Sequence, residues 1–105
     1  MVDEVDVGAV SQFPVREILT LEVGEKSCVL VRTVGDQISI FEDLCPHLGL
    51  PLNGGRLDGD NLICRWHGAH FDLKTGKSLS PMSEDPLKQI KTRIEAGRIL
   101  CEKES

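Results

Sequence analysis

No apolar run in this 105-residue chain approaches the length needed to cross a bilayer. The first residues, Met1-Val2-Asp3-Glu4-Val5-Asp6, are acidic, where a targeting segment is basic and then apolar. A soluble, cytoplasmic protein is therefore expected. Basic charge is scarce as well. Twelve Lys and Arg against 17 Asp and Glu leave a net charge of -5. That argues against nucleic acid, whose binding face is normally basic, and suits either a partner with a basic patch or an ordinary solvated surface. No long apolar stripe of period 3.6, internal repeat or low-complexity segment is present. The carboxylates are scattered on polar faces, with none paired for acid–base work. Thr75-Gly76-Lys77-Ser78 ends like a phosphate-binding loop, but Phe71 stands where that motif needs its first glycine. Neither Asn53 nor Asn61 opens a glycosylation sequon. These absences leave little room for an enzyme or a nucleic-acid binder.

What the chain does have is concentrated between Cys45 and Asp72. Two short boxes lie there, Cys45-Pro46-His47-Leu48-Gly49 and Cys64-Arg65-Trp66-His67-Gly68-Ala69-His70-Phe71-Asp72. Each supplies one thiolate and one imidazole, and 16 residues separate His47 from Cys64. Such ligands suit iron–sulfur clusters, zinc or copper rather than magnesium or calcium. Cys-x-His is too tight for the usual zinc knuckle. A pair of metals uses it more readily, with the Cys on one and the His on the other. A structural zinc module stays open as the alternative, and visible absorbance separates the two because zinc is colourless. With His47 and His67 in that role, only His70 is left, so no Ser/His/Asp set can be assembled. His70 itself reads equally as a group beside the metal site and as a half-exposed strand residue.

The remainder reads as short strands separated by turns. Strands are expected over 5–10, around Ile18, Leu19 and Leu21, and over 28–34, the last apolar on both faces and so central. Gly35-Asp36 turns the chain into a strand over 37–41, making a hairpin. Residues 42–73 form a small subdomain, with Leu62-Ile63-Cys64 and 69–73 as strands delivering the second box. Residues 80–86 are a loop with two prolines. Strands over 87–95 and 98–102 close a final hairpin at Ala96-Gly97, one face wet and Ile90, Thr92 and Ile94 on the other. Pro86 and this alternation argue against a helix over 84–91. Four cysteines are present, and Cys28 and Cys101 read as small buried hydrophobes in strands, not as a disulfide. Leu48, Leu50, Pro51 and Leu52 suggest an apolar docking tip, with Trp66, the single Trp, beside it; ordinary packing explains them equally. The fold class is all-β: an antiparallel β-sandwich or incomplete barrel in one domain, 1–105, with a cluster-binding subdomain at about 42–73.

The two boxes resemble those of Rieske proteins, in which two His replace two Cys on one iron of a [2Fe–2S] cluster. The resemblance spans the whole length, though only the boxes are highly specific. It implies Cys45 and Cys64 on one iron and His47 and His67 on the other, with Gly49 and Gly68 where backbone passes close to the cluster, and a loop carrying Pro81 over it. The chain looks most like the small Rieske-type ferredoxins of bacterial aromatic-ring oxygenase systems. That implies a monomeric one-electron carrier, not itself an enzyme. Its partners would be an NAD(P)H-dependent flavoprotein reductase and a terminal oxygenase, with no membrane or nucleic acid. The alternative is a small Rieske-like subunit of a nitrite reductase or another multicomponent oxidoreductase.

Respiratory and photosynthetic Rieske proteins carry an extra cysteine in each box, joined as a disulfide. Leu50 and Trp66 occupy those positions here. Those proteins also place Ser and Tyr hydroxyls on the cluster sulfurs, where this chain has Ala69 and Phe71. Fewer hydrogen bonds to sulfur imply a potential toward the low end of the Rieske range, roughly −150 mV. The potential should fall with rising pH once the ligand imidazoles deprotonate.

Overall fold

The computed structural model describes residues 3–33, 37–44, 51–64, 69–79 and 86–103. Nine strands are found among them: β1 (Asp3–Ala9), β2 (Ile18–Val23), β3 (Lys26–Arg32), β4 (Ile38–Glu42), β5 (Arg56–Asp58), β6 (Asn61–Ile63), β7 (His70–Asp72), β8 (Thr92–Glu95) and β9 (Arg98–Lys103). They form three antiparallel three-stranded sheets, ordered β1-β9-β8, β2-β3-β4 and β5-β6-β7. The only helical element among the described residues is one 3-10 turn, Val10–Gln12.

The β2-β3-β4 sheet is the middle layer, and the apolar run in β3 shows why. Cys28, Val29, Leu30 and Val31 are all fully buried. Successive strand residues point to opposite faces, so the run divides between two cores. Val29, Val31 and Phe41 pack with Leu62, Phe71 and Leu73 on the side of β5-β6-β7. Cys28, Leu30 and Ile40 pack with Ile99 and Cys101 on the side of β1-β9-β8. The β3–β4 register, with Val29 opposite Phe41 and Leu30 opposite Ile40, sorts both strands the same way. Each such side chain contributes ~1.5–3 kcal/mol of burial, so this one hairpin holds all three layers together.

The expected hairpins over β3–β4 and β8–β9 are present, with different limits. The first strand ends at Ala9, and Val10 opens the 3-10 turn instead of closing a strand. There the Ala9 N–H donates to Gln12 Oε1 at 2.8 Å. β3 starts at Lys26 because the β2–β3 ladder runs to Val23 opposite Lys26, beyond the apolar residues. It stops at Arg32; Val34 and the Gly35-Asp36 turn lie outside the described residues. The β8–β9 turn takes φ 51° at Ala96 and 77° at Gly97. Two positive φ values are what a two-residue hairpin turn matched to strand twist requires. The strand expected over 87–95 is confined to β8; Ile90, before it, packs against the core, while Ile94 within it is 38% exposed. Glu4 and Asp6 of β1 pair with Arg93 and Arg98, tying the first strand to the last hairpin.

Candidate metal centre

Of the four expected ligands, Cys64 is described; Cys45, His47 and His67 lie outside the described residues, as do Leu48, Gly49, Leu50, Trp66, Gly68 and Pro81. Among the described residues, no three or more Cys, His, Asp or Glu gather into a metal site. What the structure does define is where the ligand-bearing segments are rooted.

The second box grows out of the β5-β6-β7 sheet. Pairing of Ile63 with His70 puts Cys64 opposite Ala69, and the Cys64 N–H donates to the Ala69 carbonyl at 2.9 Å. The chain therefore leaves the sheet at Cys64 and returns to it at Ala69, side by side. Cys64 is 1% exposed and belongs to the core with Leu62, Ala69 and Phe71. His70 is half-buried in β7.

The first box is rooted beside it. Glu42, the last residue of β4, donates its N–H to the Lys88 carbonyl, and the Asp43 N–H donates to the Ser27 carbonyl of β3, both at 2.9 Å. The Asp43 carboxylate then reaches across to the returning chain. Its Oδ1 accepts the N–H groups of Leu52 at 2.6 Å and Asn53 at 2.9 Å, and its Oδ2 accepts from Asn53 Nδ2 at 2.6 Å. The Gly55 N–H donates to the Leu52 carbonyl at 3.1 Å. A Cβ on Gly55 would collide with the carbonyl oxygen of Ile63, the residue before Cys64. The chain leaving the first box thus lies backbone against backbone on the strand that carries the second.

The chain on either side of the Pro81 segment is held at the same sheet. The Leu79 N–H donates to the His70 carbonyl at 2.8 Å, and the chain is held again where the Leu87 N–H donates to the Gly76 carbonyl at 2.8 Å. The described residues that flank all three segments therefore adjoin one another. At two of these roots stand exposed apolar side chains, Leu44 at 49% and Leu79 at 50%. Of the residues that read either as an apolar tip or as ordinary packing, Leu52 takes the second role, fully buried in the core with its backbone N–H held by Asp43, while Pro51 is exposed. The sequence reading missed Asp43, Gly55, Leu44 and Leu79. An acidic residue two before Cys45 is the one signal that pointed to any of them.

Cys28 and Cys101 play no part in this region. Both are fully buried in the other core, and no disulfide is formed among the described cysteines. Burial first, then neighbouring Cys28, pushes the Cys101 thiol up to about 11; burial, then Glu42, raises that of Cys28. Both stay protonated and behave as apolar packing groups.

The family model described as the Rieske [2Fe–2S] domain matches residues 3–91. The chain belongs to this family. As a Rieske protein its cofactor is a Rieske-type [2Fe–2S] cluster, and the all-β architecture is that of Rieske ferredoxins. Among relatives, the cytochrome b6-f complex iron-sulfur subunit of Chlorobaculum thiosulfatiphilum is 35% identical over 97% of this chain, which spans only 55% of that protein. The ferredoxin component of the p-cumate 2,3-dioxygenase system of Pseudomonas putida is 29% identical, over 82% of this chain and 74% of its own length. Among solved structures, a chain of the complex of reduced oxygenase and oxidized ferredoxin in carbazole 1,9a-dioxygenase superposes with a TM-score of 0.80. It is 31% identical, covering 93% of this chain and 91% of its own.

The described part of the site fits the cluster. Cys64 offers a sulfur donor at the end of β6, walled by apolar side chains that keep water away. Ala69 and Phe71 bring no hydroxyl there, and the Phe71 ring is fully buried.

Proposed function

We propose that this Rieske protein is a one-electron carrier of a bacterial aromatic-ring oxygenase system, taking electrons from an NAD(P)H-dependent flavoprotein reductase and delivering them to a terminal oxygenase. The ligands in this reading are Cys45 and Cys64 on one iron and His47 and His67 on the other. When bound, the cluster supplies a single reversible electron. The chain's own residues do the rest. β6 and β7 hold Cys64, Asp43 and Leu52 hold the ends of the first box, and the apolar wall around Cys64 excludes water from its sulfur. The carrier makes and breaks no bond in the aromatic substrate.

The observation that carries this reading is the rooting of both Cys/His boxes and the Pro81 segment beside one end of the third sheet, where the end of β4 meets it, in a chain of the Rieske family. Leu44 and Leu79 add exposed apolar surface beside that edge, of the kind a docking partner covers. The net charge of -5 suits a partner with a basic face. No helix among the described residues is long and apolar enough to cross a membrane. With buried protonated thiols in the core, the proposed setting is the cytoplasm. The match to the cytochrome b6-f complex iron-sulfur subunit, 35% identical over 97% of this chain, favours a second reading, a subunit of a larger redox complex. Against it, Leu50 and Trp66 stand where the loop disulfide of that class would lie, which keeps the small carrier as the conclusion.

The test is anaerobic reconstitution. A reductase and a terminal oxygenase of an aromatic dioxygenase system are mixed with NADH, with and without this chain. The expected result is reduction of the oxygenase only when the chain is present. Electron flow no faster with the chain than without it contradicts the proposal, and transfer to a nitrite reductase instead supports the small-subunit alternative.

A further inference from the structure

Glu4, Asp6 and Glu95 face arginines on the surface. Asp43 is used differently. Its carboxylate takes three N–H donors from residues nine and ten positions further on. Two of these donors are backbone amides of Leu52 and Asn53, which belong to no strand. The Leu52 amide sits above a fully buried side chain, so losing its acceptor would leave a poorly solvated donor. On the near side, Asp43 is fixed by its own N–H to β3 and by its neighbour Glu42 to Lys88. One side chain thus joins the end of the middle sheet to the start of the third-sheet subdomain. The joined points are the two ends of the segment that carries Cys45 and His47.

We propose that Asp43 is the positioning residue of the first ligand box: its carboxylate clamps the entry and exit of that segment together, and so sets where Cys45 and His47 are presented. This rests on the ligand assignment proposed above. The clamp is geometric. It needs oxygen acceptors at those two positions, not a negative charge. Asn in place of Asp keeps Oδ1 for both backbone amides, and Asn53 can turn its own amide oxygen toward the new NH2 group. Ala keeps nothing.

The experiment compares the cluster-loaded wild type with Asp43→Ala, Asp43→Asn, Asn53→Ala and a distant control, Asp6→Ala. Three quantities are read: the rate of cluster bleaching under an iron chelator, the electron paramagnetic resonance line shape of the reduced protein, and the midpoint potential. Losing a group that orients metal ligands typically costs ~10–100-fold in metal retention, so Asp43→Ala should bleach faster by that factor, with altered line shape and potential. Asp43→Asn and Asp6→Ala should match the wild type in all three, and Asn53→Ala should fall between. Wild-type bleaching and line shape in Asp43→Ala overturn the proposal. So does Asp43→Asn bleaching as fast as Asp43→Ala, since charge and not the clamp would then matter. If Asp43→Ala does not fold, Asn53→Ala decides, and wild-type behaviour there overturns the clamp. A wild type that binds neither iron nor sulfide refutes the ligand assignment instead. Hydrogen exchange then still reads the clamp itself, with the Leu52 and Asn53 amides slow in the wild type and fast in Asp43→Ala; fast amides in the wild type, or slow ones in Asp43→Ala, overturn it.

Discussion

Replacing Gly55 by alanine probes the contact between the chain that follows the first box and the strand that leads into the second. The added Cβ would lie well inside 3.0 Å of the Ile63 carbonyl oxygen and 3.1 Å from that of Leu52. Both obstacles are backbone, so no side chain can swing away. The two segments must part by roughly half an ångström or more to restore ordinary van der Waals separation. Overpacking of this kind costs ~1–3 kcal/mol. Straining the adjacent Arg56–Ile63 pair and the Gly55–Leu52 hydrogen bond adds ~0.5–1.5 kcal/mol. Lower entropy of the unfolded chain returns ~0.4–1 kcal/mol. The net loss is about 2 kcal/mol, which for 105 residues at ~2.1 cal/mol/K each lowers Tm by about 9 °C. Thermal unfolding followed by circular dichroism measures it. Gly59 is the control: φ is +60° and nothing lies within 4 Å of its added Cβ. Its cost is conformational alone, and asparagine, which tolerates that region, should recover most of it. Asparagine at Gly55 should recover nothing. A Gly55→Ala protein that melts with the wild type, or equal behaviour of asparagine at both glycines, would refute the close-approach reasoning.

Three further outcomes follow from other parts of the molecule. Ala96→Asn removes a left-handed alanine from the last hairpin and should raise the urea midpoint by an amount equal to ~0.5–1 kcal/mol with an unchanged slope; an unchanged midpoint would show the turn unstrained. The Arg93 hydrogen bond holds the Glu4 carboxyl below its ordinary range, and those of Arg98 and then Gly8 do the same for Asp6. Carboxyls more acidic in the folded than in the unfolded state contribute stability above the ordinary carboxylate range and lose it as pH falls through their lowered values. Glu4→Gln with Asp6→Asn should therefore flatten the acid limb of the stability–pH curve, and an acid limb like that of the wild type would contradict this. Phe71→Tyr offers a hydroxyl where respiratory Rieske proteins have one. A new hydrogen bond of ~1–2 kcal/mol to the reduced cluster raises a one-electron potential by ~40–90 mV, and protein-film voltammetry showing no rise would exclude that geometry.

The middle sheet was legible because Cys28, Val29, Leu30 and Val31 interrupt the alternation that a half-exposed strand would show. Two cores claim that run, and nothing short of two covered faces accounts for it. The last hairpin was legible because Ala96-Gly97 punctuates two alternating segments. Strand limits were less so, since ladder hydrogen bonds continue past the apolar residues, as at Val23 and Lys26. The ligand boxes stood out by spacing alone. Their support did not. Leu52 looks no different in sequence from Leu48 or Leu50, and only its bond to Asp43 shows it turned inward. Gly55 is one of two adjacent glycines, and its role appears only when β6 is seen to pass behind it. Both depend on contacts between distant residues, which local pattern does not encode.

The ligand set itself is tested most directly by pulsed electron paramagnetic resonance on the reduced protein carrying nitrogen-15 histidine. Two strongly coupled histidine nitrogens are predicted, with His47→Ala and His67→Ala each abolishing the signal while Ala in place of His70 leaves it intact. A colourless protein without the signal, or a cluster that shows no histidine nitrogen, would contradict the assignment of Cys45, His47, Cys64 and His67.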